Sequence, residues 1–187
     1  MRSFLHRKPI SRSKTSLKPS KLAYKRRKPK KRRKLTKADF LRSWGVSPKA
    51  WIRYSGLKGI YWYYFSRFIR ERDIKKHQGK CMTCGIVILD WREGQAGHLF
   101  AAKDCGFALL FHPFNVHLQH PKCNNPRFTP SAGVLNTRTF IQRYGKEKLE
   151  ELIILKCHKT KEWSRQEYEK RIKALPTYTQ QSLAKNN

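Results

Sequence analysis

Two short pairs of soft ligands frame the centre of this chain, Cys81-x-x-Cys84 and His120-x-x-Cys123. Thiolates and an imidazole in paired knuckles are the donor set of a tetrahedral structural zinc, and the Gly85 that follows Cys84 permits the tight turn such a knuckle needs. A single cysteine would more simply be a small buried apolar side chain, but two matched pairs in one short region make that a poor account of all four. Between the pairs lie Gly97-His98 and Asn115-Val116-His117, and Asn124 follows the last ligand directly. A neutral histidine can act as general base, and an amide oxygen suits a hard cation such as Mg2+ or Mn2+ that would stabilise a departing oxygen. His98 is the candidate base, preceded by a glycine that lets backbone approach closely. Asn115 could hold the imidazole through its carboxamide and fix the tautomer, and Asn124 is the candidate ligand of a catalytic cation. Each residue alone has a plainer role: a structural histidine, a cap, a turn. Their order inside the zinc frame points to metal-dependent cleavage of phosphodiesters.

The charge names the partner. The chain of 187 residues carries a net charge of +31, and its first 38 residues hold 17 of the 43 Lys and Arg residues with no acidic residue among them. Such an excess is the footprint of a phosphate-bearing polymer, and the remainder is basic in its own right. Residues 1–36, interrupted by Pro9, Pro19 and Pro29, are too poor in apolar side chains for a core and are expected to be a disordered arm. Lys25, Arg26, Arg27, Arg32 and Arg33 are its candidate nucleic-acid contacts, within a run (25–34) that would also pass for a nuclear localisation signal. Arg67, Arg70 and Arg127 are the candidates outside the arm. No stretch approaches the ~20 apolar residues of a spanning helix, and no apolar signal segment stands near the N-terminus, so no membrane partner is expected. Five cysteines, with Cys105 and Cys157 outside the knuckles, argue for a reducing compartment.

Several elements must position these residues. Ser47-Pro48 predicts an N-cap and a short helix through Trp51 and Tyr54. Tyr61, Tyr64, Phe65, Phe68 and Ile69 recur at helical spacing and predict a helix over 60–76 whose aromatic face is core. Ile86–Trp91 reads as a short strand turning at Arg92-Glu93-Gly94 to a partner over 95–100, and Phe107–Phe111 as another strand. Residues 136–144 and 146–155 read as helices hinged at Gly145, and Ser164-x-x-Glu167 as the capping box of a last helix ending near Leu175.

Cys81-x-x-Cys84, Ala96-Gly97-His98, Asn115-Val116-His117 and Cys123-Asn124 resemble the motif of HNH, or His-Me finger, nucleases on a zinc-bound ββα core. The likeness is closer to the phage NinG (Rap) recombination proteins, through Phe68-Ile69-Arg70-Glu71-Arg72-Asp73 and the segment from Trp163 to Leu175. It runs over about residues 60–175 by motif order, leaving the arm outside. The resemblance implies an endonuclease acting on branched DNA such as Holliday junctions and D-loops. It makes His98 the base, Asn115 its orienting partner and Asn124 a catalytic-metal ligand, with His117 a motif residue whose role, metal ligand or phosphate contact, stays open. The sequence departs from many HNH enzymes in having Gly97 where an Asp or His ligand directly precedes the base; Gln95, Glu93 and Asp90 are the upstream replacements.

The expected fold is therefore α+β. A small zinc-stapled ββα-metal, treble-clef-like core over 78–135 follows the arm (1–38) and a basic helical region (39–77), and precedes C-terminal helices (136–187). The expected cofactors are structural Zn2+ and catalytic Mg2+ or Mn2+. The expected partner is branched DNA, and symmetric cutting would favour a homodimer. The expected compartment is the cytoplasm of a phage-infected or prophage-bearing bacterium, or the nucleus in a eukaryotic host. The competing function is a non-enzymatic zinc module bound to RNA or the ribosome.

Overall fold

The computed structural model describes residues 35–158 and 160–177. The chain divides between Lys34 and Leu35. The expected disorder of the arm, and the contacts assigned to Lys25, Arg26, Arg27, Arg32 and Arg33, lie outside the described residues.

Helix α1 (Lys37–Ser43) starts inside the stretch assigned to the arm. A local signal sets it: Thr36 Oγ1 accepts from the Asp39 N–H at 3.2 Å, while the Asp39 carboxylate accepts from the Thr36 N–H at 3.3 Å. This reciprocal capping box is what a basic run conceals from composition alone. The helix expected from Ser47 does not form. Instead the Ala50 N–H bonds the Ser47 carbonyl at 2.9 Å in a turn. Residues 51–55 then alternate between exposed and half-buried, the period of extended chain, so that Ile52 and Tyr54 pack on the core and Trp51 points to solvent.

Helix α2 (Gly56–His77) is the central support. Ile60, Tyr61, Tyr64, Phe65 and Ile69 are buried along it, so its aromatics are core, as their spacing predicts. Against it lies a two-stranded antiparallel sheet of β1 (Gln95–His98) and β2 (Val116–Gln119), with Gly97 opposite His117 and His98 opposite Val116. The partner of β1 is thus β2 and not residues 86–91, which make only a single bridge from Val87 to Lys80 and leave Ile86 and Leu89 exposed. The reason is visible at the outer edge of β2. Arg72 Nη2 donates to the Val116 carbonyl at 3.1 Å, Asp73 Oδ2 accepts from the Leu118 N–H at 2.8 Å, and the Met82 N–H donates to the Leu118 carbonyl at 2.9 Å. Side chains of α2 and the first knuckle supply the pairing that a third strand would give, and they cover an edge that would otherwise be open.

A single 3-10 turn (Ala102–Asp104) and a short helix α3 (Phe107–Leu110) fill the loop between the strands. The run 107–111 is helical, contrary to the strand reading. Phe107 and Phe111, four apart, face the aromatic core with Tyr61 and Trp163, while Leu109 turns into a second core with Phe140, Leu149 and Leu152. In a strand 107, 109 and 111 would share one face, whereas a helical turn sets 109 opposite 107 and 111. Helices α4 (Ala132–Tyr144) and α5 (Lys146–Cys157) meet at Gly145, whose φ of 86° is the left-handed region expected of that hinge. Helix α6 (Arg165–Ala174) opens with Ser164 Oγ accepting from the Glu167 N–H at 3.2 Å and sets Tyr168 and Ile172 into the core with α2. The architecture is mixed α and β with one small sheet. No helix among the described residues is long and apolar enough to cross a membrane.

Candidate functional site

The first knuckle is shaped by its backbone. The Cys81 N–H donates to the Ile86 carbonyl at 2.9 Å, and Gly85, at φ 73°, returns its N–H to the Cys81 carbonyl at 3.0 Å. The second closes through the Asn124 N–H on the His120 carbonyl at 3.0 Å. The two meet: the ligand atoms of Cys81, Cys84, His120 and Cys123 all lie within 4.8 Å of one another. Soft sulfur and imidazole donors at that separation can hold a metal ion such as zinc. The electrostatics point the same way. Burial opposes the Cys81 thiolate, yet the N–H groups of Cys84, His120 and Thr83 outweigh it and bring its pKa down to about 7. Cys123 is pushed up to about 12 by burial and then by the neighbouring Cys81. Thiolates that repel each other in a partly buried cluster are relieved by a divalent cation between them.

His98 closes β1 and is half-buried, its ring stacked on Trp62 with centroids 5.1 Å apart and an interplanar angle of 8°. Nε2 lies 3.0 Å from the Leu110 carbonyl. A carbonyl only accepts, so Nε2 carries the proton and Nδ1 keeps the lone pair. Burial, reinforced by the Arg53 charge and opposed by the Leu110 carbonyl, lowers the imidazole pKa to about 4. The ring is thus neutral at physiological pH.

Asn124 reaches the same place from the second knuckle. Its Nδ2 donates to Gln95 Oε1 at 2.9 Å. A Cβ built on Gly97 would stand 1.8 Å from Gln119 Oε1 and 2.5 Å from Asn124 Oδ1. The missing side chain at 97 is therefore the space that two carboxamides occupy. His98, Gln119 and Asn124 line one pocket of about 530 Å3 together with Arg53 and Lys103. Of the residues singled out in sequence, His98, Asn124 and Cys123 are brought together here.

The others stand elsewhere. Asn115 does not hold the imidazole. Its Oδ1 accepts from the Phe100 N–H at 2.9 Å and its Nδ2 donates to the Leu109 carbonyl at 3.0 Å, cinching the loop between the strands. Its partner Leu109 precedes Leu110, whose carbonyl meets the His98 ring. His117 is fully buried, with Nε2 2.8 Å from the Phe114 carbonyl, Nδ1 3.7 Å from Asp73, and Phe140 and Tyr144 around the ring. These contacts bury the ring among packed side chains, and the group of residues placed to hold a metal does not include it. Arg70 turns inward to the carbonyls of Ser66, Trp91 and Gly94, stapling the turn before β1 to α2, and Arg67 pairs with Glu71 at 2.7 Å. Arg127 is exposed. Glu93 is exposed and Asp90 bonds Arg92, which leaves Gln95 as the upstream residue at the site. Sequence reasoning missed Arg53, Trp62 and Gln119. Arg53 and Trp62 carry no motif, and only the two-residue period of the strand that places Gln95 and Gln119 opposite each other could have raised Gln119.

Fold and site together define an α+β protein with a Cys/His cluster that could hold a metal and an adjoining basic pocket around a neutral histidine. The sequence pattern of the NinG family, described as bacteriophage lambda NinG protein, matches residues 5–185. The chain belongs to that family and is a phage recombination-related protein. The match runs through the basic arm, which the resemblance over 60–175 had left out. No curated protein and no solved structure matches the chain.

Proposed function

We propose that this protein is a structure-specific endonuclease of the HNH kind, cutting branched DNA such as four-way junctions. The observation that carries the reading is the His98 imidazole: its Nε2 is spent on the Leu110 carbonyl at 3.0 Å, and it lines a basic pocket that Asn124 also lines. In this reading the Nδ1 lone pair takes the proton of the attacking water. Asn124, its nitrogen held by Gln95, would offer its oxygen to Mg2+ or Mn2+, with water and substrate phosphate supplying further oxygens. Bound there, the ion supplies charge stabilisation for the departing oxygen. Arg53 and Lys103 meet the phosphates, and the knuckle metal fixes the turn from which Asn124 projects. The short hairpin followed by a knuckle and helix α4 is compatible with the ββα-metal arrangement.

One observation favours a second reading, a non-enzymatic zinc-containing nucleic-acid-binding protein. Among the described residues, the knuckles are the one group of His, Cys, Asp and Glu placed to hold a metal, so the oxygens beside His98 are carboxamides. Cleavage of labelled four-way junctions and linear duplexes, with Mg2+ or Mn2+, separates the two. Wild type should nick the junction faster, and His98→Ala should lose most cleavage while retaining zinc and DNA affinity. Equal cutting of both DNAs would reject the junction preference. Absence of cutting, or cutting that His98→Ala leaves intact, would reject the catalytic assignment.

A further inference from the structure

Beside the His98 pocket lies a second cavity of about 280 Å3 that hydrolysis does not use. Trp51, Trp62 and Tyr63 wall it, and Ser66 and Gln95 offer polar groups. Arg53 and Asn124 line both cavities, so the two are neighbours across these side chains. Trp51 is 78 % exposed, although the same extended segment buries Ile52 and Tyr54 partway against α2. The segment thus anchors itself by two residues and leaves an indole at the mouth of the cavity.

We infer that this cavity holds one unpaired nucleobase, next to the phosphodiester presented to His98. The chemical class of the ligand rests on the nuclease reading; the shape of the site does not. Pockets for drug-sized ligands run from about 300 to 1,000 Å3, so a cavity just under that range suits a single ring system. Aromatic walls stack on any base, because every base has a π face, and the Ser66 hydroxyl and Gln95 carboxamide can meet its edge. Arg53, between the cavities, is placed for the phosphate that joins the held base to the nucleotide being cut. The net charge of +31 favours a polyanion over a free apolar ligand. Duplex holds each base in an unbroken stack, whereas a branch point interrupts the stack and lowers the cost of drawing a base out. Recognition of branched DNA then comes from capture of an unstacked base and needs no sequence code.

The test is binding by the full-length, zinc-loaded protein with no Mg2+ or Mn2+ added. The probes are two duplexes, each with one unpaired nucleotide, identical except that the second carries an abasic sugar there. The base should improve affinity about tenfold, the size of one base–aromatic stack. Trp51→Ala should collapse the ratio between the two probes to about one, and Trp51→Phe should restore it. A ratio near one for wild type, or a ratio that Trp51→Ala leaves unchanged, overturns the proposal. Cleavage with Mg2+ is scored separately: base-dependent binding without cutting would sink the nuclease reading and leave the base site standing, and cutting without base dependence would do the reverse.

Discussion

The depressed basicity of His98 has a measurable consequence for the proposed reaction. Burial on Trp62 and the nearby Arg53 bring the imidazole from 6.5 down to about 4. At about pH 5.5 an ordinary histidine is only about one-tenth neutral, whereas one titrating near 4 is about 97 % neutral. A general base must be neutral, so kcat/KM, which reports the free enzyme, should keep more than about nine-tenths of its pH 8 value at about pH 5.5. Bound phosphates favour the imidazolium and should move the acid limb of kcat upward. The assay is junction cleavage from about pH 4.5 to 8 at fixed ionic strength, with zinc content measured at each pH because knuckle ligands lose metal as they protonate. An acid limb of kcat/KM near pH 6.5 with zinc retained would refute the argument from burial. The sign for stability is the same. The fold favours neutral His98, so its contribution is whole above the unfolded value of 6.5 and is lost as pH falls through about 4. The loss is at most about 3 kcal/mol, less what solvent screening removes at this half-buried site.

Three further outcomes test the frame. Asp73 is buried, and although burial works against its charge, the nearby His117 ring, the Arg72 guanidinium at 2.6 Å and the Leu118 N–H hold its pKa below the usual value. Asp73→Ala should cost about 3–5 kcal/mol, because it strands Arg72 and the β2 edge, and should lower Tm by roughly 6–20 °C in a thermal melt; a loss under about 1 kcal/mol would show that the edge is held otherwise. Gly97→Ala should leave Tm nearly unchanged, since Gln119 and Asn124 can swing away, yet slow junction cleavage about 100-fold by displacing Asn124. Cys84→Ser should reduce bound zinc, read by metal analysis, and loosen the knuckles enough for a protease to cut them; retention of one tightly bound zinc per chain would remove Cys84 from the ligand set.

The Cys/His cluster was legible because ligand chemistry limits residue types and the two-residue gap limits their geometry. Helix α2 and the C-terminal helices were legible because burial along them follows helical spacing and Gly145 and Ser164 mark their ends. Strand pairing was not. Strands of four residues carry too few alternations to specify a partner, and the register of β2 is held from α2, 45 positions upstream, by Asp73. The run at 107–111 misled because a short apolar stretch suits a strand or a buried helical turn equally. Asn115 was assigned to the imidazole by its type, but the group that holds the ring is a backbone carbonyl at Leu110, and every residue has one.

The bare backbone at Gly97 couples that position to the opposite strand and to the second knuckle. Because the ends of Gln119 and Asn124 already fill the space above it, a carboxylate could enter at 97 only where both side chains swing aside or a shorter residue replaces one of them. Substitutions at these positions should therefore covary, an acidic residue directly before the histidine going with a shorter side chain at 119 or 124.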